Sequence, residues 1–273
     1  MNTSGQGVGG AAGLGDELAF VQGLVREAAA VALSRAKGIA PQEKANLSYV
    51  TALDHELEQM IRDRIAARFP DDSLTGEEYA QAGGSGPRRW SIDPIDGTGN
   101  MVHDLPLWAI SVGLMDAGEP VLGVIIVPPL GELYWAVKGG GAWRDGERLT
   151  SLDAETFHNQ DNVCVGTNAL RAIDPRSLPG RLRDLGSACC EAVFVACNRL
   201  QACTFMGEGQ HDIAAGAVIA VEAGCAIGTI NGRILTPAEF VAETPVCTPT
   251  FLAPPRRLEA LMAVAQFLPP LTA

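Results

Sequence analysis

No apolar run in the chain approaches the roughly 18 residues that a membrane-spanning helix requires. The best one, Val121 to Leu130, is interrupted by Gly123 and ends at Pro128 and Pro129. Basic residues are also in short supply: 20 Lys plus Arg against 32 Asp plus Glu leave a formal net charge of −12 and a pI near 4.8. That balance gives no electrostatic footprint for a nucleic-acid backbone, so neither membrane nor nucleic acid is expected as a partner. The 7 cysteines are odd in number and form no CxxC, which suggests neither a disulfide framework nor a zinc site and leaves reduced, mostly buried thiols. Met1 to Gly15 is rich in Gly, Ser and Ala but lacks the basic and apolar regions of a secretory signal. The expectation is a cytoplasmic protein whose residues 1–15 form a flexible segment.

What is present is enough to fold. Of 273 residues 47% are hydrophobic and 19% charged, which excludes general disorder. Leu18, Val21, Leu24, Val25, Ala28 and Val31 follow helical spacing up to Gly38. A second helix is expected from Thr51 to Arg68, with Leu53, Leu57, Ile61 and Ile65 on its apolar face and Thr51 and Asp54 imitating a capping box. Ala82 to Pro87 is expected to be a mobile loop. Trp90 to Ile92 reads as a strand leading into a turn at Pro94, and Ala109 to Leu114, Val121 to Val127 and Glu132 to Lys138 read as an antiparallel meander. Beyond about Thr150, strands such as Val163 to Gly166 alternate with helices such as Ala188 to Cys197 and Asp212 to Ala223. The division expected is an α+β subdomain over 16–155 and an α/β subdomain over 156–273.

The chemistry concentrates in carboxylates. Asp93 and Asp96 flank a proline in the run Asp93-Pro94-Ile95-Asp96-Gly97-Thr98-Gly99-Asn100, shortly after Gly76-Glu77-Glu78. If these groups converge, their mutual repulsion demands either strongly raised pKa values or a bound hard cation. All-oxygen ligands favour magnesium or manganese over zinc. Taken singly, Asp-Pro and Asp-Gly are ordinary turn formers, Glu77 with Glu78 is a solvated pair, and Asp212 and Ser187 are helix caps.

Together with His211-Asp212-Ile213-Ala214-Ala215-Gly216, these strings resemble, in order, the GEE, DPxDGTxN and WDxxAG elements of the inositol monophosphatase family. The resemblance spans nearly the whole chain. It implies an α/β fold, a layered α/β/α/β/α sandwich of the inositol monophosphatase and fructose-1,6-bisphosphatase type, with an antiparallel sheet in the first half and a mixed one in the second. It implies a Mg2+-dependent phosphomonoesterase, sensitive to lithium, that cleaves a small phosphorylated polyol, sugar or alcohol into the alcohol and inorganic phosphate. Histidinol phosphate, fructose 1,6-bisphosphate and 3′-phosphoadenosine nucleotides are substrates of related families. A regulatory binding protein that keeps the fold is the alternative outside enzymes. A homodimer is implied as well.

Carried over residue by residue, Glu77, Asp93 and the carbonyl of Ile95 look like ligands of one metal, and Asp93, Asp96 and Asp212 like ligands of a second. A third, weaker ion would lean on Glu77 with Asp54 nearby, giving two to three Mg2+ per site, with Mn2+ able to substitute. Thr98 would hydrogen-bond the attacking water with Glu77 as base. Asp93, Asp96, Gly97, Thr98 and Asp212 would surround the phosphate, and Gly186, Ser187 and Ala188 the organic part of the substrate.

The sequence departs from the family pattern in places. His211 replaces the tryptophan before the late aspartate, a change expected to leave the metal ligands untouched. Gly99 and Met101 replace a threonine and an aromatic. Phe205 stands where inositol-hydrolysing members carry a hydroxyl-binding glutamate, and Glu208 is expected to be exposed and without a role. Lys44 lies slightly out of register upstream, with Ser48 at an aspartate position.

Overall fold

The structure, a computed structural model, describes residues 13–44 and 48–268. Of the expected flexible N-terminal segment, residues 1–12 lie outside the described residues, and Gly15 already opens the first helix.

Helix Gly15–Arg35 carries Asp16 and Glu17 in its first turn and Arg35 in its last, which complements the helix dipole, and buries Val21, Leu24, Val25, Ala28 and Ala32 along one side. Helix Ala52–Arg68 is capped as expected: the Thr51 hydroxyl accepts from Leu53 N, and Asp54 Oδ2 accepts from Thr51 N at 2.8 Å. Its Leu53, Leu57, Ile61 and Ile65 join the first helix in a core against one face of a large sheet.

That sheet has eight strands, in the spatial order Glu147–Arg148, Ala142–Arg144, Glu132–Val137, Glu119–Val127, Ala109–Asp116, Arg88–Asp96, Ser73–Gly76 and Ala82–Gly83. The meander is antiparallel as expected, but Ser73–Gly76 pairs with Arg88–Asp96 in parallel, so the sheet of the first half is mixed. Strand composition sets which residues are buried and does not set direction. Here the chain returns through Ala82–Gly83, an edge strand at the start of the stretch expected to be a loop.

The opposite face of the sheet carries helices Ala188–Ala196 and Gln210–Glu222. The second of these lies unusually close. A Cβ at Gly123 would sit 2.4 Å from the carbonyl oxygen of Ala215, and one at Gly113 would sit 3.2 Å from Ala214 Cβ. Small residues on both sides let the helix backbone approach the strands, and that approach fixes the height of the helix start. Beyond these helices lies a four-stranded antiparallel sheet, Cys203–Phe205, Thr250–Ala253, Ala226–Thr229 and Ile234–Leu235. A parallel pair, Asn162–Cys164 with Arg181–Arg183, joins it through a parallel bridge from Val163 to Ala202, which makes the second sheet mixed. Helix Pro255–Val264 covers its outer face with Leu258 and Leu261. The layers therefore run α/β/α/β/α.

Candidate active site

Asp93 and Asp96 sit at the end of strand Arg88–Asp96, where the pairing register to Ala109–Asp116 shifts. Pro94 has no N–H for the ladder, and the resulting irregularity lets two carboxylates three residues apart reach one place. Asp93 is 1% exposed; its Oδ1 accepts from Ile95 N at 3.0 Å, while Oδ2 finds no hydrogen-bond partner. Asp96 Oδ2 accepts from the Ser187 hydroxyl and from Cys189 N at 2.7 Å, at the amino end of helix Ala188–Ala196. Ser187 is thus both the helix cap, through Cys190 N, and a support of Asp96.

Gly97, at φ 88°, turns the chain into the short helix Thr98–Val102, and a Cβ there would meet Leu107 O at 3.0 Å and Ser187 Cβ at 3.1 Å. Asn100 then donates to Leu107 O and Leu185 O, both at 2.6 Å, tying this turn to the Gly186 loop. The Thr98 hydroxyl lies 2.9 Å from Asp54 Oδ1 and 2.9 Å from Ile95 O.

Glu77 is positioned by a residue that no sequence motif marks. Glu58 is fully buried on helix Ala52–Arg68, paired with Arg62 at 2.9 Å, and accepts from Glu78 N at 2.7 Å and Tyr79 N at 3.2 Å. Gly76 is required beneath it, since a Cβ would fall 2.2 Å from Glu58 Oε1. Lys44, despite its register, reaches Glu77 Oε1 at 2.8 Å and Glu78 Oε1 at 2.5 Å.

Asp212 is the third residue of helix Gln210–Glu222, with Oδ2 accepting from Gly209 N at 2.5 Å. His211 precedes it with Nε2 3.6 Å from Asp212 Oδ1. A ring nitrogen of His211 thus lies beside two of the carboxylates expected as ligands. Ligand atoms of Glu77, Asp93 and His211 lie within 4.8 Å of one another, as do those of Asp93, Asp96 and Asp212, so Asp93 belongs to both groups.

Electrostatics match that crowding. Burial first, then Glu77, Asp96 and Asp212, hold the Asp93 carboxyl well above the usual range. Burial and the charge of Asp212 push Asp96 up to about 7. Burial raises Glu77, an effect opposed by Lys44, and burial raises Asp54. Like charges in a dry place with a buried, unpartnered Asp93 oxygen have the chemistry to hold a hard divalent cation.

The cluster opens into two cavities that share Asp96, Gly186 and Asp212. One, of about 220 Å³, is lined by Glu77, Asp93, Ile95, Gly97 and Thr98. The other, of about 300 Å³, is lined by Thr167, Asn168, Ser187, Ala188 and three further carboxylates, Asp184, Glu191 and Glu208, with no lysine or arginine among its described lining residues. Glu208 is therefore not the exposed loop residue expected. It is partly buried, its Oε2 lacks a hydrogen-bond partner, and burial pushes its carboxyl up to about 7. Glu191 is raised by burial to about 8. Phe205, in the place of the family glutamate, is buried against Phe240 and faces the core.

A model of the inositol monophosphatase family matches residues 16–267. A Thermotoga maritima fructose-1,6-bisphosphatase/inositol-1-monophosphatase is 35% identical over 193 residues, covering 67% of this chain and 72% of that one. A histidinol-phosphatase of Streptomyces coelicolor is 32% identical over 236 residues, covering 80% and 88%. The solved structure of a Thermotoga maritima IMPase superposes with a TM-score of 0.81 at 28% identity, covering 91% of this chain and 96% of the other.

Proposed function

The chain belongs to the inositol monophosphatase family and is accordingly a metal-dependent phosphatase of phosphate monoesters; from that premise we propose that it binds two magnesium ions, or manganese in their place, between its two acidic groups and hydrolyses a small phosphorylated alcohol. The observation that carries this reading is the convergence of Glu77, Asp93, Asp96 and Asp212, drawn from distant segments, on one cleft. Glu77, Asp93 and the Ile95 carbonyl would hold one ion, and Asp93, Asp96 and Asp212 the other. A third, weaker ion at Glu77 would compete with the Lys44 ammonium. When bound, such ions lower the pKa of water and neutralise charge on the phosphoryl group and leaving oxygen.

The chain's own residues then do the positioning. Thr98 has one hydroxyl proton; given to Asp54 Oδ1, it leaves the oxygen lone pairs free to accept from an attacking water, with Glu77 close by as base. Gly97 and Thr98 line the phosphate cavity with backbone. The Thr98–Val102 helix has 5 residues, so local N–H groups rather than a summed dipole serve an anion there. Gly186, Ser187 and Ala188 line the neighbouring cavity, where the leaving alcohol would sit. Its acidic walls favour a neutral or cationic alcohol over one bearing a second phosphate. A cytoplasmic homodimer is the accompanying proposal, supported by the family resemblance, and light scattering tests the oligomeric state.

The test is phosphate release from inositol 1-phosphate, histidinol phosphate, fructose 1,6-bisphosphate and a 3′-phosphoadenosine nucleotide, with magnesium and after chelation. Turnover is expected to fall by on the order of a hundredfold or more on chelation. The two substrates with additional phosphate are expected to be poorer in kcat/KM by about tenfold or more. Release that chelation leaves unchanged contradicts the metal mechanism.

A further inference from the structure

We propose that His211 is a nitrogen ligand of the divalent ion held by Glu77 and Asp93, and that it turns this half of the centre from magnesium toward manganese. The inference deepens the two-ion reading above and rests on it. Its first ground is placement: an imidazole nitrogen, a Glu77 oxygen and an Asp93 oxygen lie within 4.8 Å of one another, in a grouping that excludes Asp96. The second is Asp93 Oδ2, buried and without a hydrogen-bond partner, on the one residue common to both groups.

The ring is seated for this task. A Cβ at Gly209 would lie 2.7 Å from His211 Cε1 and 3.1 Å from Nδ1, so the glycine makes room for the imidazole against the backbone. The 3.6 Å from Nε2 to Asp212 Oδ1 is too long for a hydrogen bond, and that neighbour does not consume the nitrogen. The side chain is partly exposed, at 25%, so the ring is not sealed in the core.

Chemistry then decides the ion. An indole at position 211 could offer only an N–H, whereas neutral imidazole offers a lone pair. Magnesium takes oxygen ligands and keeps several waters; manganese shares its preference for carboxylate, carbonyl and water but, as a first-row transition ion, accepts an imidazole nitrogen more readily. The other group, Asp93, Asp96 and Asp212, is oxygen only and stays open to magnesium. A protonated His211 serving purely as a positive charge beside Asp212 or the phosphate is the competing role, and it supplies no ligand.

The experiment strips the protein of metal, reloads it with Mn2+ and reads nitrogen coupling to the Mn(II) electron spin by spin-echo modulation. Calorimetry gives Mn2+ and Mg2+ affinities for the native protein, His211→Gln and His211→Trp, with circular dichroism to verify folding. The native protein is expected to show 14N coupling and both variants none. Mn2+ affinity is expected to fall by about tenfold or more in the variants and Mg2+ affinity to change by less than about threefold. Manganese bound by the native protein without nitrogen coupling, or with an affinity that His211→Gln leaves unchanged, overturns the proposal while the two-ion reading stands. Native protein that binds neither ion, or Mn2+ binding that Asp93→Asn does not weaken, overturns both.

Discussion

The Asp54 carboxylate divides its oxygens between two tasks. Oδ2 takes Thr51 N and the Thr51 hydroxyl, closing the capping box, and Oδ1 takes the Thr98 hydroxyl. A residue legible in the sequence as a cap is thereby also the partner of the group facing the proposed water. Asp54→Asn keeps size and much of the cap, and is expected to cost about 1 kcal/mol of stability. Weakening the Asp54–Thr98 relay is expected to lower kcat by about 10²-fold or more with little change in KM. A steady-state comparison with Thr98→Val checks this, and a variant with native kcat contradicts the role given to Asp54.

Residues that the sequence left silent share a physical trait: their meaning depends on a partner far away in the chain. Glu58 and Arg62 read as two more charges on an amphipathic helix, and only the fold buries them against Gly76 and the Glu78 amide. Lys44 read only as a departure in register, and its pairing with Glu77 spans 33 positions of chain. The Glu77, Asp93, Asp96 and Asp212 strings were legible because spacing, turn chemistry and order along the chain jointly restrict them. The His211 ring was visible as a departure, but its direction was not.

At the level of elements, the site is built from helix starts. Asp54 and Asp212 both lie in first turns, and Asp96 receives an amide and a hydroxyl from the start of helix Ala188–Ala196. Unpaired N–H groups there partly compensate the carboxylates before any cation arrives. Periodicity and caps made these helices readable, whereas strand direction escaped, as the parallel pairing of Ser73–Gly76 shows. The height of helix Gln210–Glu222 depends on Gly123. A methyl group there collides with the Ala215 backbone at 2.4 Å, a contact that cannot rotate away. Gly123→Ala is expected to destabilise by about 1–3 kcal/mol through overpacking. Because the helix carries Asp212 and His211, metal affinity is expected to fall as well. Denaturant unfolding and calorimetry measure the two effects, and full stability with native metal affinity contradicts this account of the close approach.

Across the whole molecule, the acidic cleft makes stability depend on pH in a definite direction. Asp96 and Glu208 titrate at about 7 and Glu191 at about 8 in the folded chain. Unfolded carboxyls titrate near 4, by reference values of about 3.9–4.3. Between those limits the folded state binds more protons than the unfolded one, so stability falls as pH rises. The metal-free protein is expected to melt at progressively lower temperature as pH is raised from about 5 to about 8. Saturating divalent ion is expected to reduce that slope by compensating the charge on Asp96, leaving the share that comes from Glu191 and Glu208. Thermal melts with and without metal check both statements, and a metal-free melting temperature that rises through this range contradicts them.

The layered architecture brings strand Arg88–Asp96, the turn after Gly76 and the starts of three helices to one cleft, and the whole account depends on divalent ions meeting there. An anomalous difference map from a crystal of the manganese-loaded protein tests that most directly. Two peaks are expected on either side of Asp93, one contacting Glu77 and His211 and the other Asp96 and Asp212. Manganese absent from this cleft, or bound only elsewhere on the acidic surface, would contradict it.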